Sequence, residues 1–163
     1  MKRIPIAAVG LGLLVLASIM QADSPHFQSA NNTINTSTGA LTTSFKEVGL
    51  GTGASTVAIT LTVNTATANY QCFNNGGNHP KAGNKETVSS SLNTSGSFPV
   101  SNGQTTASLT VGPPGPGNFS CPGGQSLFLT LVTYSGITVS NNGANSFGAT
   151  PDPISTGPIL IAP

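Results

Sequence analysis

The chain of 163 residues carries few charges: five Lys or Arg and four Asp or Glu make up 6% of the sequence and give a formal net charge of +1. Nucleic-acid binding requires clustered Lys and Arg that neutralise phosphates, and anionic membrane surfaces attract similar clusters. The composition therefore argues against both partners, and solubility must come from uncharged polar residues.

The first 22 residues have the three parts of a secretory signal peptide. Lys2 and Arg3 form a charged start, residues 6–16 form an apolar stretch, and small residues lead to Ala22. A membrane anchor is the alternative, but the apolar stretch is shorter than the roughly 20 residues that cross a bilayer. We therefore expect cleavage near residue 22 and secretion, with no membrane association afterwards.

The strand pattern begins soon after this segment. Residues 26–30 are a short extended candidate, and the Asn-, Thr- and Ser-rich run over 31–39 fits either a loop or a weakly patterned strand. Residues 41–46 alternate between apolar and polar side chains, which predicts a strand with one buried face.

The clearest strand signal follows. Odd-numbered residues over 57–63 are apolar, whereas the apolar positions over 66–72 are even-numbered. In one regular strand the apolar side chains would change from one face to the other midway, so we predict a bulge near residues 64 and 65. With that bulge, Gln71 and Phe73 face outward.

The middle of the chain is more polar. Residues 87–92 are a β-prone stretch, residues 93–96 are a turn candidate, and residues 98–100 begin another short strand. The Asn-Gly pair at 102–103 favours a tight hairpin turn, because both residues tolerate positive φ. Residues 107–111 would form the return strand.

In residues 113–163, prolines mark the breaks between strands and apolar residues mark the strands. Three prolines within 113–117 end regular pairing. Residues 127–134 are apolar at most positions, which predicts a central strand covered on both sides, and residues 137–139 are a further strand. The Pro-rich segment 151–163 is predicted to be a loosely ordered tail that docks through residues 159–161.

The two cysteines of the chain are Cys72 and Cys121. Two cysteines in an exported protein most simply form one disulfide bond. A bond across this separation would stabilise the fold by about 4 kcal/mol in the chain-entropy model. The alternative is free thiols or a metal site, with His26 and His79 as the only histidine ligands.

The pattern as a whole predicts an all-β fold, since no segment shows helical periodicity. About seven short strands, Gly and Pro at the joints and one long-range disulfide favour an antiparallel β-sandwich over residues 23–150, with roughly the first 15 of them loose. The chain has no Trp to pack on the disulfide, so the sandwich is expected to be only loosely immunoglobulin-like. A small β-barrel is the alternative.

Residues for catalysis are scarce. Glycoside hydrolysis needs two carboxyl groups, and Glu47 and Glu86 are the only candidates, each beside a lysine and expected to be exposed. His79 is the sole central histidine, and the GxSxG elbow of serine hydrolases is absent. We therefore predict a non-enzymatic protein without a cofactor or metal.

The predicted disulfide suggests one binding surface. It would bring loops 73–85 and 113–125 to the same end of the sandwich, and loops on a rigid scaffold often carry recognition. The candidate binding surface comprises Phe73, His79, Lys81 and Phe119. The alternative is that these loops only connect strands.

Three segments carry a recognisable pattern: FKEVGLG at 45–51, ANYQCFNNGG at 68–77 and SCPGGQ at 120–125. In these segments the chain resembles a group of small exported bacterial β-sandwich proteins that has no assigned activity. The resemblance covers most of the chain after the signal peptide. It implies secretion, a disulfide between the two matching cysteines and no catalytic role.

Two functions fit these observations. The first is a secreted binding or surface-associated module for an extracellular polysaccharide or protein. The second is a structural protein that assembles with copies of itself, which low charge and polar strands favour. Concentration-dependent assembly would distinguish them.

Overall fold

The computed structural model describes residues 24–51, 53–74, 83–142 and 145–163. The signal peptide predicted for residues 1–22 lies outside these ranges. Eight β-strands occur within them, and no helix there is long and apolar enough to span a membrane. The strands are β1 (His26–Ile34), β2 (Leu41–Val48), β3 (Thr56–Asn74), β4 (Lys85–Pro99), β5 (Gln104–Val111), β6 (Gln125–Asn141), β7 (Asn145–Gly148) and β8 (Ile154–Ser155).

The strands form two antiparallel sheets that pack face to face as a sandwich. The three-stranded sheet has the order β1-β2-β5, and the five-stranded sheet has the order β4-β3-β6-β7, with β8 also pairing with β6. The sheets do not close into a barrel. The predicted antiparallel sandwich is therefore confirmed.

The core lies between the two sheets and follows the predicted alternation. Leu41 and Phe45 of β2 are buried, as are the odd-numbered residues from Val57 to Val63 of β3. Tyr134 and Ile137 of β6 complete the opposite wall. Burial of each large apolar side chain contributes about 1.5–3 kcal/mol, so these strands hold the sheets together.

Two β-bulges reset the phase of the central strands. The register between β3 and β4 shifts between Val63 and Ala66, which confirms the bulge predicted at residues 64 and 65. A second shift, against β6, occurs between Asn69 and Tyr70 and leaves Thr130 as the extra residue. This second bulge was not predicted.

Two local expectations are wrong because sheet pairing overrides them. The turn predicted at residues 93–96 lies inside β4, where Ser95 pairs with Thr60 of β3. The separate strands predicted at 127–134 and 137–139 are one continuous strand, β6. The outward side chains of β6 are half-buried, so it is central in the sheet but not fully covered on both faces.

The Asn-Gly pair forms the predicted tight turn. Asn102 and Gly103 have φ values of 51° and 70°, and the backbones of Ser101 and Gln104 exchange hydrogen bonds of 2.9 and 3.1 Å. The strands on either side do not form a hairpin, however, because β4 and β5 belong to different sheets. The turn carries the chain from one sheet to the other.

The C-terminal segment is ordered along β6, and so the expected loose tail is wrong. Ile159 donates its backbone N–H to Thr130, and Ile161 exchanges hydrogen bonds with Leu129, which confirms the docking segment at 159–161. Asp152 accepts hydrogen bonds from the backbone N–H groups of Gly136 (3.1 Å) and Ile137 (2.9 Å). With β7 and β8, these contacts cover the outer edge of β6.

The same segment joins the two sheets along one side of the sandwich. The backbone N–H of Asn32 donates to Thr150 over 2.7 Å, and that of Thr150 donates to Ala30 over 3.0 Å. Along the opposite side, β4 and β5 are the terminal strands of their sheets. The sandwich therefore has one side covered by its own chain and one side that ends in two terminal strands.

Candidate functional site

The predicted disulfide is present and joins the end of β3 to the loop that precedes β6. Cys72 and Cys121 are bonded, with Cα atoms 5.6 Å apart. Beside them, the backbone N–H of Cys72 donates to Asn84 over 3.1 Å, and Asn74 pairs with Gln125. The end of β3 and Asn84 therefore lie beside the segment that precedes β6. Residues 75–82 lie outside the described residues, so the meeting of loops 73–85 and 113–125 stays a prediction.

The structure describes two of the four residues of the candidate binding surface. Phe73 is half-buried at the end of β3, where its ring packs edge-on against Phe128 with centroids 5.5 Å apart. Phe119 is half-buried and packs against the hydrophobic core. His79 and Lys81 lie outside the described residues, so this surface as a whole stays a prediction.

A groove of about 310 Å³ opens beside this end, where β4, β3 and β6 run next to one another. Most of the residues that line it are polar, and Pro158 of the C-terminal segment also contributes to the lining. The groove is lined by Asn69, Tyr70, Gln71, Lys85, Glu86, Thr87, Thr130, Leu131 and Pro158. Its volume is at the lower end of the range for small-molecule sites.

The polar groups of the groove are held by the second bulge. Thr130, the bulged residue, donates its hydroxyl to the backbone carbonyl of Asn69 over 3.0 Å. Thr87 donates to the side-chain oxygen of Asn69 over 3.1 Å. The side-chain nitrogen of Gln71 is buried without a hydrogen-bond partner among the described residues. Gln71, which also lines the groove, thus holds a buried donor without a partner beside Asn69, Thr87 and Thr130, whose polar groups are hydrogen-bonded.

An aromatic pair adjoins Gln71 on the same face of the sheet. Gln71 and Phe128 are direct neighbours in the register of β3 and β6, and Phe128 packs against Phe73. Gln71 and Phe73 alternate with the buried Tyr70 and Cys72, which confirms their predicted outward direction. The groove therefore combines amide and hydroxyl groups with an apolar flank.

Rows of hydroxyl groups cross the outer face of the five-stranded sheet, the face turned away from the other sheet. Hydrogen bonds join Thr60 to Ser95 (2.8 Å), Thr67 to Ser89 (2.9 Å) and Thr133 to Ser155 (3.2 Å). The register aligns two four-residue rows: Ser95, Thr60, Ser140 and Ser146, and Ser89, Thr67, Thr133 and Ser155. These two rows are polar without being charged.

The prediction that Glu47 is an exposed charge is wrong. Its side chain is fully buried between the sheets, and Asn141 donates to its Oε1 over 2.8 Å. Burial raises the pKa of Glu47, opposed by the hydrogen bond from Asn141 and by the nearby His26. Its position agrees with the inward odd-numbered residues of β2, so the alternation of this strand was the signal for burial.

Glu47 and Glu86 are not arranged as a catalytic pair. Asn141, which binds Glu47, pairs with Ile59 near the start of β3, whereas Glu86 pairs with Tyr70 near its end. Eleven residues of strand separate these two positions, a distance of roughly 35 Å. Glycosidases hold their carboxyl groups within about 10 Å of one another.

The groove itself had no local signature in the sequence. Its walls come from three strands and Pro158, and only the register brings Asn69, Thr87 and Thr130 together. Across the described parts of the chain, no group of three or more His, Cys, Asp or Glu is placed to hold a metal ion. Comparison with known proteins gives no match, either to a family model or to a curated protein.

Proposed function

We propose that this protein is a secreted, non-enzymatic binding module that holds a neutral polysaccharide in the groove between β4, β3 and β6. The observation that carries the proposal is the buried, unpaired amide donor of Gln71 in the wall of a groove where Asn69, Thr87 and Thr130 are held by hydrogen bonds. Binding sites of this kind use a few placed polar groups to orient a ligand.

The chemistry of a sugar chain matches this arrangement. Sugar hydroxyls accept and donate hydrogen bonds, and the C–H groups of a sugar ring favour an apolar surface beside them. Gln71 would donate to a ligand oxygen, while Phe128 and Phe73 supply the apolar flank. The hydroxyl rows continue the same polar surface beyond the groove, so a polymer has room to extend along the sheet.

The ligand is expected to be uncharged. Lys85 and Glu86 carry opposite charges on adjacent positions of β4, and the other residues that line the groove are neutral. Neither an anionic nor a cationic polymer would gain from a surface with this balance. Binding is therefore expected to change little with ionic strength, because salt screens charges and not neutral hydrogen bonds.

Secretion is supported by two features. The first 22 residues have the composition of a signal peptide. The bonded pair Cys72 and Cys121 suits an oxidising compartment, since disulfides are rare in the reducing cytosol. Retention of residues 1–22 on the protein recovered from the culture medium would contradict cleavage of a signal.

The test is affinity electrophoresis of residues 23–163 in gels that contain soluble β-glucan, xylan or dextran. We expect at least one of these polymers to retard the protein. Gln71→Ala should weaken binding roughly five- to tenfold, the effect of one net hydrogen bond. Gln104→Ala is the matched control, because Gln104 is an exposed amide on β5 of the other sheet.

Two results would overturn the proposal. One is migration that none of the three polymers changes. The other is binding that Gln71→Ala and Gln104→Ala weaken equally, since the groove would then not be the site. Retardation should also be the same at low and high salt, and a strong salt dependence would point to a charged surface instead.

A further inference from the structure

The outer edge of β4 is the longest unpaired strand edge that the structure describes. β4 spans Lys85–Pro99, which is 15 residues, and pairs with β3 along one edge. No strand in the described ranges pairs with its other edge. A strand edge of this kind presents a row of free N–H and C=O groups that can pair with another chain.

The usual protections of an edge strand are absent from most of β4. Natural proteins protect edges with short strands, charged side chains, Pro or bulges. Between Thr87 and Phe98 there is neither a charge nor a Pro, and the nearby bulge lies on β3. A typical strand has about 5–6 residues, so β4 exposes far more edge than most.

The other end of the same sheet shows the opposite arrangement. There the backbone of β6 is covered by β7, by β8 and by the hydrogen bonds of Ile159 and Ile161. Between β7 and β8, the carboxyl group of Asp152 accepts hydrogen bonds from the backbone N–H groups of Gly136 and Ile137. Among the described residues, one edge of the sheet is covered nearly completely and the β4 edge is open.

We infer that the β4 edge pairs with the β4 edge of a second copy of this chain. The pairing would be antiparallel about a two-fold axis, and the two five-stranded sheets would become one continuous sheet. An isologous contact of this kind requires a surface that is complementary to itself. The side chains of β4 meet that requirement.

The outward-facing residues of β4 are complementary in every antiparallel register that keeps the outer faces of the two copies on the same side of the joined sheet. Odd-numbered residues from Thr87 to Ser97 face outward, and all of them are Ser, Thr or Asn. Two-fold pairing therefore sets hydroxyl or amide groups opposite one another and continues the hydroxyl rows into the second copy. Val88 and Leu92, which pack partly on the core, would lie beside the partner on the inner face.

The charges of β4 also permit the contact. Lys85 and Glu86 lie at the start of the strand. In an antiparallel pair centred on the strand, they meet the far end of the partner near Phe98 and Pro99 rather than their own copies. Like charges directly opposite one another destabilise a sheet, and this pairing avoids them.

The test is sedimentation velocity of residues 23–163 over a wide concentration range. We expect a monomer that converts to a dimer as concentration rises, without larger species. The variant S91K/N93K places like charges opposite one another near the centre of the contact and should remain monomeric. S91E/N93E should behave in the same way.

An equimolar mixture of the Lys and Glu variants provides the decisive readout. Opposite charges would face one another across the two-fold contact, so the mixture should dimerise although neither variant does so alone. A variant that had failed to fold could not be rescued in this way. The control Q104K/S108K adds the same charges to exposed positions on β5 that lie opposite the uncharged Val48 and Ser44, and it should dimerise like the unmodified chain.

Three outcomes would overturn the inference. The first is a monomer at every concentration, and the second is undiminished association of S91K/N93K. The third is open-ended growth into filaments, because a contact between two β4 edges closes on itself and leaves no second β4 edge for another copy. The inference does not depend on the polysaccharide site, since the assay contains no sugar.

Discussion

Asn141 donates a hydrogen bond of 2.8 Å to Oε1 of Glu47 and ties the five-stranded sheet to a fully buried carboxyl group of the other sheet. The second carboxyl oxygen, Oε2, has no partner among the described residues. A buried carboxylate with one unpaired oxygen is costly, so burial raises the pKa of Glu47 above its ordinary 4.5.

The raised pKa predicts a loss of stability as pH rises. Below about pH 4.5 the carboxyl of Glu47 is protonated in both the folded and the unfolded chain. Above that pH the unfolded chain releases its proton first, so the free energy of unfolding falls until the pH passes the folded pKa. Glu47→Gln should remove this fall, so the stability of the variant relative to the unmodified chain should increase as the pH rises.

Urea unfolding from about pH 4 to about pH 8 would measure the effect. His26, which lies near enough to lower the pKa of Glu47, is present in both proteins, so the difference between them isolates the carboxyl. Glu86→Gln is the control, because Glu86 is exposed on β4. Equal pH dependence in Glu47→Gln and the unmodified chain would contradict the prediction.

A second prediction concerns the hydroxyl of Tyr134. It is fully buried and donates to the backbone carbonyl of Gly39 over 2.8 Å. Tyr134→Phe leaves that carbonyl without its partner, which should lower the free energy of unfolding by about 1–3 kcal/mol. Thr42→Val removes an exposed hydroxyl from a bond of the same length to Thr110 and should have little effect. Similar losses of unfolding free energy in both variants would contradict the prediction, because burial of the hydroxyl would then make no difference.

A third prediction concerns Gly136, which lies inside β6 with a φ of 65°. A Cβ atom there would come within 2.6–2.9 Å of the side chain of Asn64. Gly136→Ala should therefore destabilise the fold by about 1–3 kcal/mol. Gly112→Ala is the matched control, since a Cβ atom at that position meets nothing within 4 Å. Thermal unfolding of the two variants checks this, and an unchanged midpoint for Gly136→Ala would contradict it.

A fourth prediction concerns the disulfide. Cys72 and Cys121 are 49 positions apart, so reduction should lower the free energy of unfolding by about 4 kcal/mol in the chain-entropy model. Urea unfolding with and without reductant measures this difference. The variant C72S/C121S should have the same free energy of unfolding as the reduced chain, and reductant should not change it. Identical curves for the oxidised and reduced protein would refute the expectation.

The sequence predicted the parts of the fold that depend on periodicity or on a single residue pair. The alternation of β2 and β3, the bulge at 64 and 65, the turn at 102–103 and the disulfide are all present. Residues 93–96 form strand instead of a turn because pairing with β3 outweighs local preference. The local preference of these residues for a turn is weak, so pairing within the sheet decides their conformation.

The candidate site was less accessible to sequence reasoning. The outward direction of Gln71 and Phe73 followed from the bulge and is confirmed. The groove was not predicted, because it depends on the register of three strands and on the position of Pro158. The burial of Glu47 could have been predicted from the parity of β2, but its neighbour Lys46 suggested a solvated charge. The spacing of residues in the sequence predicts on which face of a strand a side chain lies. A site that several strands form can be predicted only when the pairing of those strands is known.

The covering of β6 by the C-terminal segment sets an order for folding. Thr150 bonds to residues of β1, more than a hundred positions earlier in the chain, and residues 154–161 complete the pairing of β6. A chain synthesised from its amino end cannot close this side until those last residues are available. Long-range pairing of this kind is slow and leaves intermediates open to misassociation. Folding would therefore stall with β6 uncovered until residues 150–161 have been synthesised.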